Sequence, residues 1–329
     1  MMKKRLKKGD SVMNKRVYGV LGISSVMANW NADFSGYPKT TSSGEVFGSD
    51  KAFKYPMKRM WEDAGEKVVY IKSMKIAENK GETVLVPRTL KERYEQLFDV
   101  PDLKKCKDVK EILINLFSAI DVKNFGATFA EVGANISIIG AVQIGQGFNK
   151  YADSEAQEQN ILSPFQDSKA KDKNGDEAKN STLGTKIVSD EAHYFYPFAI
   201  NPNVYNSFVE MGVTKGYTEE DYQKFKAASL TAATSFSTNS KIGCENEFGM
   251  FVETEEHLYL PNLDKYIEFT KGEENQKNII QVTCDGLVND VIDRVKTIEI
   301  YYNPETTQIK CNISNVKYFN SNFPHRLMC

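Results

Sequence analysis

From Trp30 to Trp61 the chain leaves an apolar strand, crosses a polar glycine-rich loop and enters a basic amphipathic helix. Any fold of this sequence must hold that loop at a surface and bury one face of the helix. Phe53, Met57, Met60, Trp61 and Ala64 recur at i, i+4, i+7, i+8 and i+11, one apolar stripe. Lys51, Lys54 and Lys58 fall on a separate face, and Ser49 or Asp50 is the expected N-cap. Pro56 predicts a kink, or a helix that starts there. Gly36, Gly44 and Gly48 let the preceding loop turn and approach a ligand closely. Hydroxyls between Ser35 and Ser49, with Lys39, Lys51, Lys54, Lys58 and Arg59, suit phosphate. Trp30, Phe34, Tyr37 and Phe47 suit unpaired bases. The plainer alternative is a solvated lysine face over a buried stripe.

The charge is divided along the chain. Residues 1–75 hold 15 Lys and Arg against 7 Asp and Glu, a surplus of +8; the remainder holds 27 against 37, or −10. Such polarity fits a basic groove with acidic outer faces, or head-to-tail packing of copies. Five cysteines (Cys106, Cys244, Cys284, Cys311, Cys329) show no C-x-x-C spacing, which argues for a reducing cytoplasm over a disulfide framework or zinc ribbon. No run reaches membrane-spanning length, so no membrane partner is expected. Residues 1–15 read as a flexible basic tail.

Arg16 to Ala28 is a glycine-marked strand, and Lys67–Lys75 is predicted to be a second one after the helix. Short helices follow at Thr89–Phe98 and Lys107–Ile120. Asn135–Phe148 reads as another strand, displaying Gln143 and Gln146 near its end. Residues 150–192 are polar over a length that implies a functional protrusion or a disordered insertion. Tyr194–Asn201 returns to strand composition, Thr218 opens a helix that runs to Phe236, and Phe248–Glu253 is a strand. A helix over Val288–Val295 and a hairpin of Thr297–Tyr302 with Gln308–Ser314 complete the reading. Strand, helix and strand twice over is the βαββαβ order of an RRM/ferredoxin-like α+β core, stretched by insertions.

Catalytic motifs are missing. Asp33 could ligate Mg²⁺ or act in phosphodiester cleavage, but no second acid or histidine lies within ten residues of it, which favours a loop cap. His193 reads as a packed strand-end residue. The residues argue for binding rather than catalysis, with no cofactor or metal.

Asn29-Trp30-Asn31-Ala32-Asp33, Gly36-Tyr37-Pro38, the run Gly44 to Asp50 and Lys54-Tyr55-Pro56 resemble the crRNA-binding backbone subunit of type I CRISPR surveillance complexes (Cascade), in the type I-B branch of the Cas-seven family, RAMP superfamily. Ile139 to Gln143 and Asp190 to Tyr194 extend the resemblance, which covers Val17 to about Tyr302. It implies a right-hand shape that polymerises along guide RNA without cleaving it. The RRM-like palm would be 16–76, 134–149 and 193–314, the helical finger insertion 77–133, the thumb 150–192, and the C-terminal tail 315–329. The implied RNA-binding set is Asn31, Lys39, Ser49, Lys51, Lys54, Lys58, Arg59, Gln143, Gln146 and Lys241; the thumb would use Ile161, Phe165, Leu183 and Lys186. Implied partners are crRNA, copies of itself, the large subunit, the 5′-handle-binding subunit, the processing endonuclease and, through the guide, target DNA. A metal-dependent endoribonuclease using Asp33 is the alternative.

Overall fold

The computed structural model describes residues 11–106, 108–131, 133–166 and 180–323. Strand β1 (Lys15–Ala28) is buried on both faces, with Val17, Leu21 and Ile23 on one side and Tyr18 and Val20 on the other. After the short β2 (Phe47–Gly48), α1 (Asp50–Asp63) begins at Ser49, whose Oγ accepts the Ala52 N–H at 3.3 Å. It runs through Pro56 as one helix, giving up one backbone hydrogen bond. Next come the β3 (Met74–Asn79) and β4 (Glu82–Pro87) hairpin, α2 (Leu90–Phe98) with a Thr89/Glu92 capping box, α3 (Val109–Ser118) and α4 (Ile120–Phe125). A second hairpin, β5 (Gly126–Glu131) and β6 (Ala134–Ile139), leads into β7 (Val142–Ile144) and β8 (Gly147–Asn149). The long β9 (Ala156–Gln166) and β10 (Asn180–Ile200) precede α5 (Asn206–Glu210), α6 (Glu219–Ser235) and β11 (Cys244–Glu255). The chain ends with β12 (Ile267–Thr270), β13 (Asn278–Val282), α7 (Asp285–Asn289), β14 (Val295–Tyr302), β15 (Thr307–Cys311) and β16 (Val316–Asn320).

The protein is a mixed α+β fold. Its main sheet has the order β16-β14-β11-β1-β10-β8-β2, with β7 and β9 also on β10. β1 is antiparallel to both neighbours. The chain passes from β1 through α1 to β7 and β8 beyond β10, and from β10 through α6 to β11 beyond β1. Both helices cover one face. Phe53, Met57 and Trp61 of α1 join Tyr222 and Phe225 of α6 in the core over Val17, Leu21 and Ile23. On the other face, a three-stranded sheet of β12, β13 and β15 closes a second core around Tyr18, Val20, Met250 and Val252.

Several expectations are corrected. Lys67–Ser73 is not a strand, and only Met74 and Lys75 of the predicted span belong to one, as the start of β3. Val68, Val69 and Ile71 are buried, but the N–H groups of Val69 and Tyr70 donate to the Asp121 carboxylate at 2.9 and 2.8 Å, so no ladder forms. Asn135–Phe148 breaks into β6, β7 and β8. At Gly140 a Cβ would lie 2.3 Å from the Phe125 backbone carbon, so the chain crosses the 124–126 backbone there and changes sheet. Because β6 pairs with β5, a finger boundary at 133 divides a hairpin. The polar run 150–192 contains a β-ribbon, since β9 pairs antiparallel with the first half of β10, and β10 continues unbroken past 192. The predicted helix over Val288–Val295 is the short α7, a 3-10 turn at Ile292–Arg294 and the start of β14. β14 and β15 do not form a hairpin: β15 pairs in parallel with β13, while β14 stays in the main sheet. The 315–329 segment is not all tail, because β16 pairs in parallel with β14; residues 324–329 lie outside the described residues, as do 1–10 of the basic tail.

Candidate nucleic-acid interface

The loop between β1 and α1 is tied down by its own side chains. Asn29 Nδ2 donates to the carbonyls of Gly36 and Ile187 at 2.8 and 3.1 Å. Asn31 Oδ1 accepts the Ser49 N–H at 2.7 Å, which fixes the start of α1. Asp33 Oδ1 accepts from the Ser35 N–H and hydroxyl at 2.8 and 2.7 Å and from the Tyr37 N–H at 3.1 Å. That carboxylate therefore shapes its own turn, which Gly36 completes at φ +92°. Phe34 at the tip is fully exposed, and Tyr37 beside it partly so. Trp30 is different: it is buried, and its Nε1–H donates to Tyr196 Oη at 2.5 Å, so it cannot offer a face to a base. Gly48 passes directly over this pair, where a Cβ would fall 1.9 Å from Tyr196 Oη.

Beside the loop, α1 lines an open cleft of about 610 Å³. Lys51, Lys54 and Lys58 border it from the helix, and Tyr70, Phe125 and Thr128 from the opposite wall. The three lysines are not equivalent. Lys51 is exposed and, among the described residues, in no ion pair. Lys54 pairs with Asp50 at 2.8 Å and lies 5.1 Å from the Phe125 ring centre. Lys58 reaches inward, donating to the Tyr70 carbonyl at 3.1 Å and standing 3.7 Å from the fully buried Asp121 carboxylate. Burial pushes the Lys58 ammonium below its ordinary value, and Asp121 opposes that push. Burial, with Asp121 second, raises the Tyr70 phenol to about 12; its hydroxyl donates to the Thr128 carbonyl at 2.8 Å.

Other expected contacts fall elsewhere. Arg59 does not line the cleft; it pairs with Glu62 and Asp63 at 2.9 and 3.2 Å. Lys39 lies 6.0 Å from the Phe47 ring centre, near the loop rather than the helix. Lys241 donates to the carbonyls of Asn29 and Trp30, so its charge holds the base of the loop, and burial lowers its pKa. Gln143 is exposed at the sheet margin, its Nε2 donating to the Gly140 carbonyl at 2.8 Å; Gln146 is exposed nearby. Ile161 and Lys186 lie on the ribbon, opposite Gly184 and Gln159 and two steps apart in the β9–β10 pairing, while the side chains of Phe165 and Leu183 lie outside the described residues. His193 is packed, though inside β10 rather than at a strand end, between Glu191 and Glu247 and stacked on Phe269 at 3.8 Å. No cluster of three or more His, Cys, Asp or Glu side chains suited to a metal occurs among the described residues.

Two contributions were missed by reading the sequence. Tyr55 lies off the apolar stripe and is 43% exposed on the lysine side of α1. Phe125 and Thr128 arrive from more than sixty residues away, and only the fold brings them to the helix. Tyr55 was detectable as an aromatic where packing requires none.

A family model described as CRISPR-associated protein Cas7 matches residues 15–285. Among solved structures, a chain of a "CRISPR RNA-guided surveillance complex, pre-nicking" is similar at 13% identity and a TM-score of 0.52, over 93% of this chain and 96% of that one. A chain of a "CRISPR RNA-guided surveillance complex" is similar at 11% identity and a TM-score of 0.43, over 88% and 91%. A comparison with curated protein sequences finds no match.

Proposed function

This chain belongs to the CRISPR-associated Cas7 family, and from that premise we propose that it is the non-catalytic guide-RNA-binding subunit that polymerises along crRNA as the backbone of a type I CRISPR surveillance complex, of the I-B branch. The observation that carries this reading is the cleft beside α1, where Lys51, Lys54 and Lys58 meet aromatic and polar groups in an open groove. A single-stranded nucleic acid needs that combination: cations for phosphates and ring faces for bases.

In this reading the main sheet with α1 and α6 is the RRM-like palm. Its supports are the β11-β1-β10-β8 order and the two helical crossovers, each passing an antiparallel strand. Residues 77–139, with the boundary moved so that the β5–β6 hairpin stays whole, supply fingers whose hairpin forms the far wall of the groove, and the β9–β10 ribbon is the thumb. The subunit works in the cytoplasm with copies of itself, the large subunit, the handle-binding subunit and the processing endonuclease, and presents the guide to target DNA. Asp33, occupied by three hydrogen bonds from its own loop, is a structural residue here rather than a nuclease ligand.

The test is RNA binding by purified protein across a salt series. Unrelated single strands of equal length should bind alike, because phosphate contacts carry no sequence information. Lys51→Glu should weaken all of them and lower the slope of log affinity against log salt by about 0.7 for the lost contact. Absence of binding, or strong preference for one sequence, would overturn the reading. Magnesium-dependent cleavage lost in Asp33→Ala would replace it with the endoribonuclease.

A further inference from the structure

A second, smaller pocket of about 170 Å³ lies on the other side of Tyr55, between α1 and the turn that follows α6. Trp30, Asn31, Ala52, Tyr55, Phe236 and Lys241 line it. Its size, well below the ~300–1,000 Å³ of ordinary ligand pockets, limits an occupant to one ring system. Its aromatic wall is a pair: the rings of Tyr55 and Phe236 are 5.5 Å apart, with planes at 70°. Tyr55 is two residues from both Phe53 and Met57, off the buried stripe, so the core does not need an aromatic there. We propose that this pocket holds an unpaired nucleobase of the bound RNA, stacked on one ring of the Tyr55–Phe236 pair with its edge against the other. The proposal rests on the RNA-backbone reading and adds to it a contact with a base.

The polar groups of the pocket favour a base over a phosphate. Lys241 is its one cation, and two of its three hydrogens are given to the carbonyls of Asn29 and Trp30. The charge is thus held at the pocket floor, 5.6 Å from the Trp30 ring centre. The Asn31 amide is oriented by its bond from the Ser49 N–H to Oδ1 at 2.7 Å. Its Nδ2 has only a weak 3.4 Å contact with the Ala32 carbonyl and keeps a hydrogen to give. The pocket therefore offers N–H donors beside aromatic faces. Every nucleobase carries a ring nitrogen or carbonyl acceptor and a π-face, so any base fits this chemistry. Tyr55 also borders the lysine cleft. One turn of α1 can then serve the phosphate of a nucleotide with Lys51 and Lys54 and the adjoining base with Tyr55.

The experiment uses a uridine-rich single-stranded RNA carrying 2-aminopurine at several positions, titrated with the full-length protein. Stacking should quench the fluorescence on binding to wild type. Tyr55→Ala should bind about tenfold more weakly, within the ~1–3 kcal/mol a stacked base contributes, and lose much of the quench. Its salt slope should remain that of wild type, because no phosphate contact is lost. Tyr55→Phe should retain both affinity and quench, and Phe236→Ala should repeat the loss. Circular dichroism and melting confirm that each variant is folded. If wild type binds the RNA and Tyr55→Ala matches it in affinity and quench, the pocket assignment is overturned while the backbone reading stands. A reduced salt slope in Tyr55→Ala would also overturn it, because the residue would then act through phosphate. If wild type binds no RNA, the parent reading fails with it.

Discussion

Replacing Lys58 by methionine should destabilise the fold by about 1–3 kcal/mol, whereas the same change at Lys51 should stay within about 0.5 kcal/mol. Both lysines share a helix face in sequence, and the difference comes from Asp121. That carboxylate is buried beneath α1, receives the N–H groups of Val69 and Tyr70, and has the Lys58 ammonium 3.7 Å away. At an effective dielectric of about 20, Coulomb's law gives the pair about 4 to 5 kcal/mol of attraction at 3.7 Å. Removing the ammonium returns the cost of having buried it, so only part of that attraction is lost. The 3.1 Å bond to the Tyr70 carbonyl is lost as well, and a hydrogen bond from a charged donor of that kind adds about 1.5–3 kcal/mol before its desolvation is offset. Methionine conserves the length of the side chain, so packing contributes little. Urea denaturation of both variants measures the difference: the midpoint should fall for Lys58→Met with the slope unchanged, and hold for Lys51→Met. Equal midpoints for Lys58→Met and wild type would mean that Asp121 is satisfied without its cation, and the account of this junction would be wrong. Charge reversal on this face has different effects at the two positions. Lys51→Glu is a surface change, but Lys58→Glu sets a carboxylate against buried Asp121 and should unfold the region.

Two further outcomes follow from packing and charge. Both ring nitrogens of His193 face carboxylate oxygens, Nδ1 toward Glu247 at 2.8 Å and Nε2 toward Glu191 at 3.0 Å, and only the doubly protonated ring can donate to both. Burial opposes that charge, but Glu247 and Glu191 outweigh it and hold the pKa above the ordinary imidazole value. The stabilisation is therefore complete below about pH 6.5 and is lost as pH rises through the folded-state value. In His193→Gln the denaturation midpoint should lose this fall on the alkaline side, and an unchanged pH profile would refute the pairing. Gly48→Ala should cost about 1–3 kcal/mol or more, because its Cβ would lie 1.9 Å from Tyr196 Oη and 2.8 Å from the Trp30 ring. A melting temperature equal to wild type would show that this pair can yield.

Local signals carried much of the fold. The Ser49 cap, the stripe from Phe53 to Trp61 and the Thr218 capping box are short-range patterns, and they appear as α1 and α6. Errors arose where distant residues decided the outcome. Val68 to Ile71 has strand composition, but Asp121, some fifty residues on, takes its amides. The run from Asn135 to Phe148 changes sheet at Gly140 because another segment of backbone crosses it. The ribbon of β9 and β10 was illegible because its residues are polar; cross-strand pairing there does not depend on an apolar face. At the site, sequence spacing located Lys51, Lys54 and Lys58 but gave no means of separating an exposed lysine from one buried against a carboxylate. Trp30 has the chemistry of a stacking residue, and its burial and its bond to Tyr196 remove it from that role.

β10 sets a rule for how this arm can vary in length. From Ser189 to Ile200 its inner half is paired with β1, with Tyr194, Tyr196 and Phe198 in the helix-side core and Phe195 in the other. Its outer half, from Val188 outward, is the ribbon paired with β9. One residue inserted between Ile187 and Ser189 cannot be absorbed inward, where a slip would exchange the two cores. It would instead exchange the faces shown by Lys186 and Ile187 and by every ribbon residue beyond them. Two residues, matched on β9, would preserve the faces and extend the arm by about 6.6 Å. Changes of reach that keep the arm's two surfaces in place therefore come in even steps.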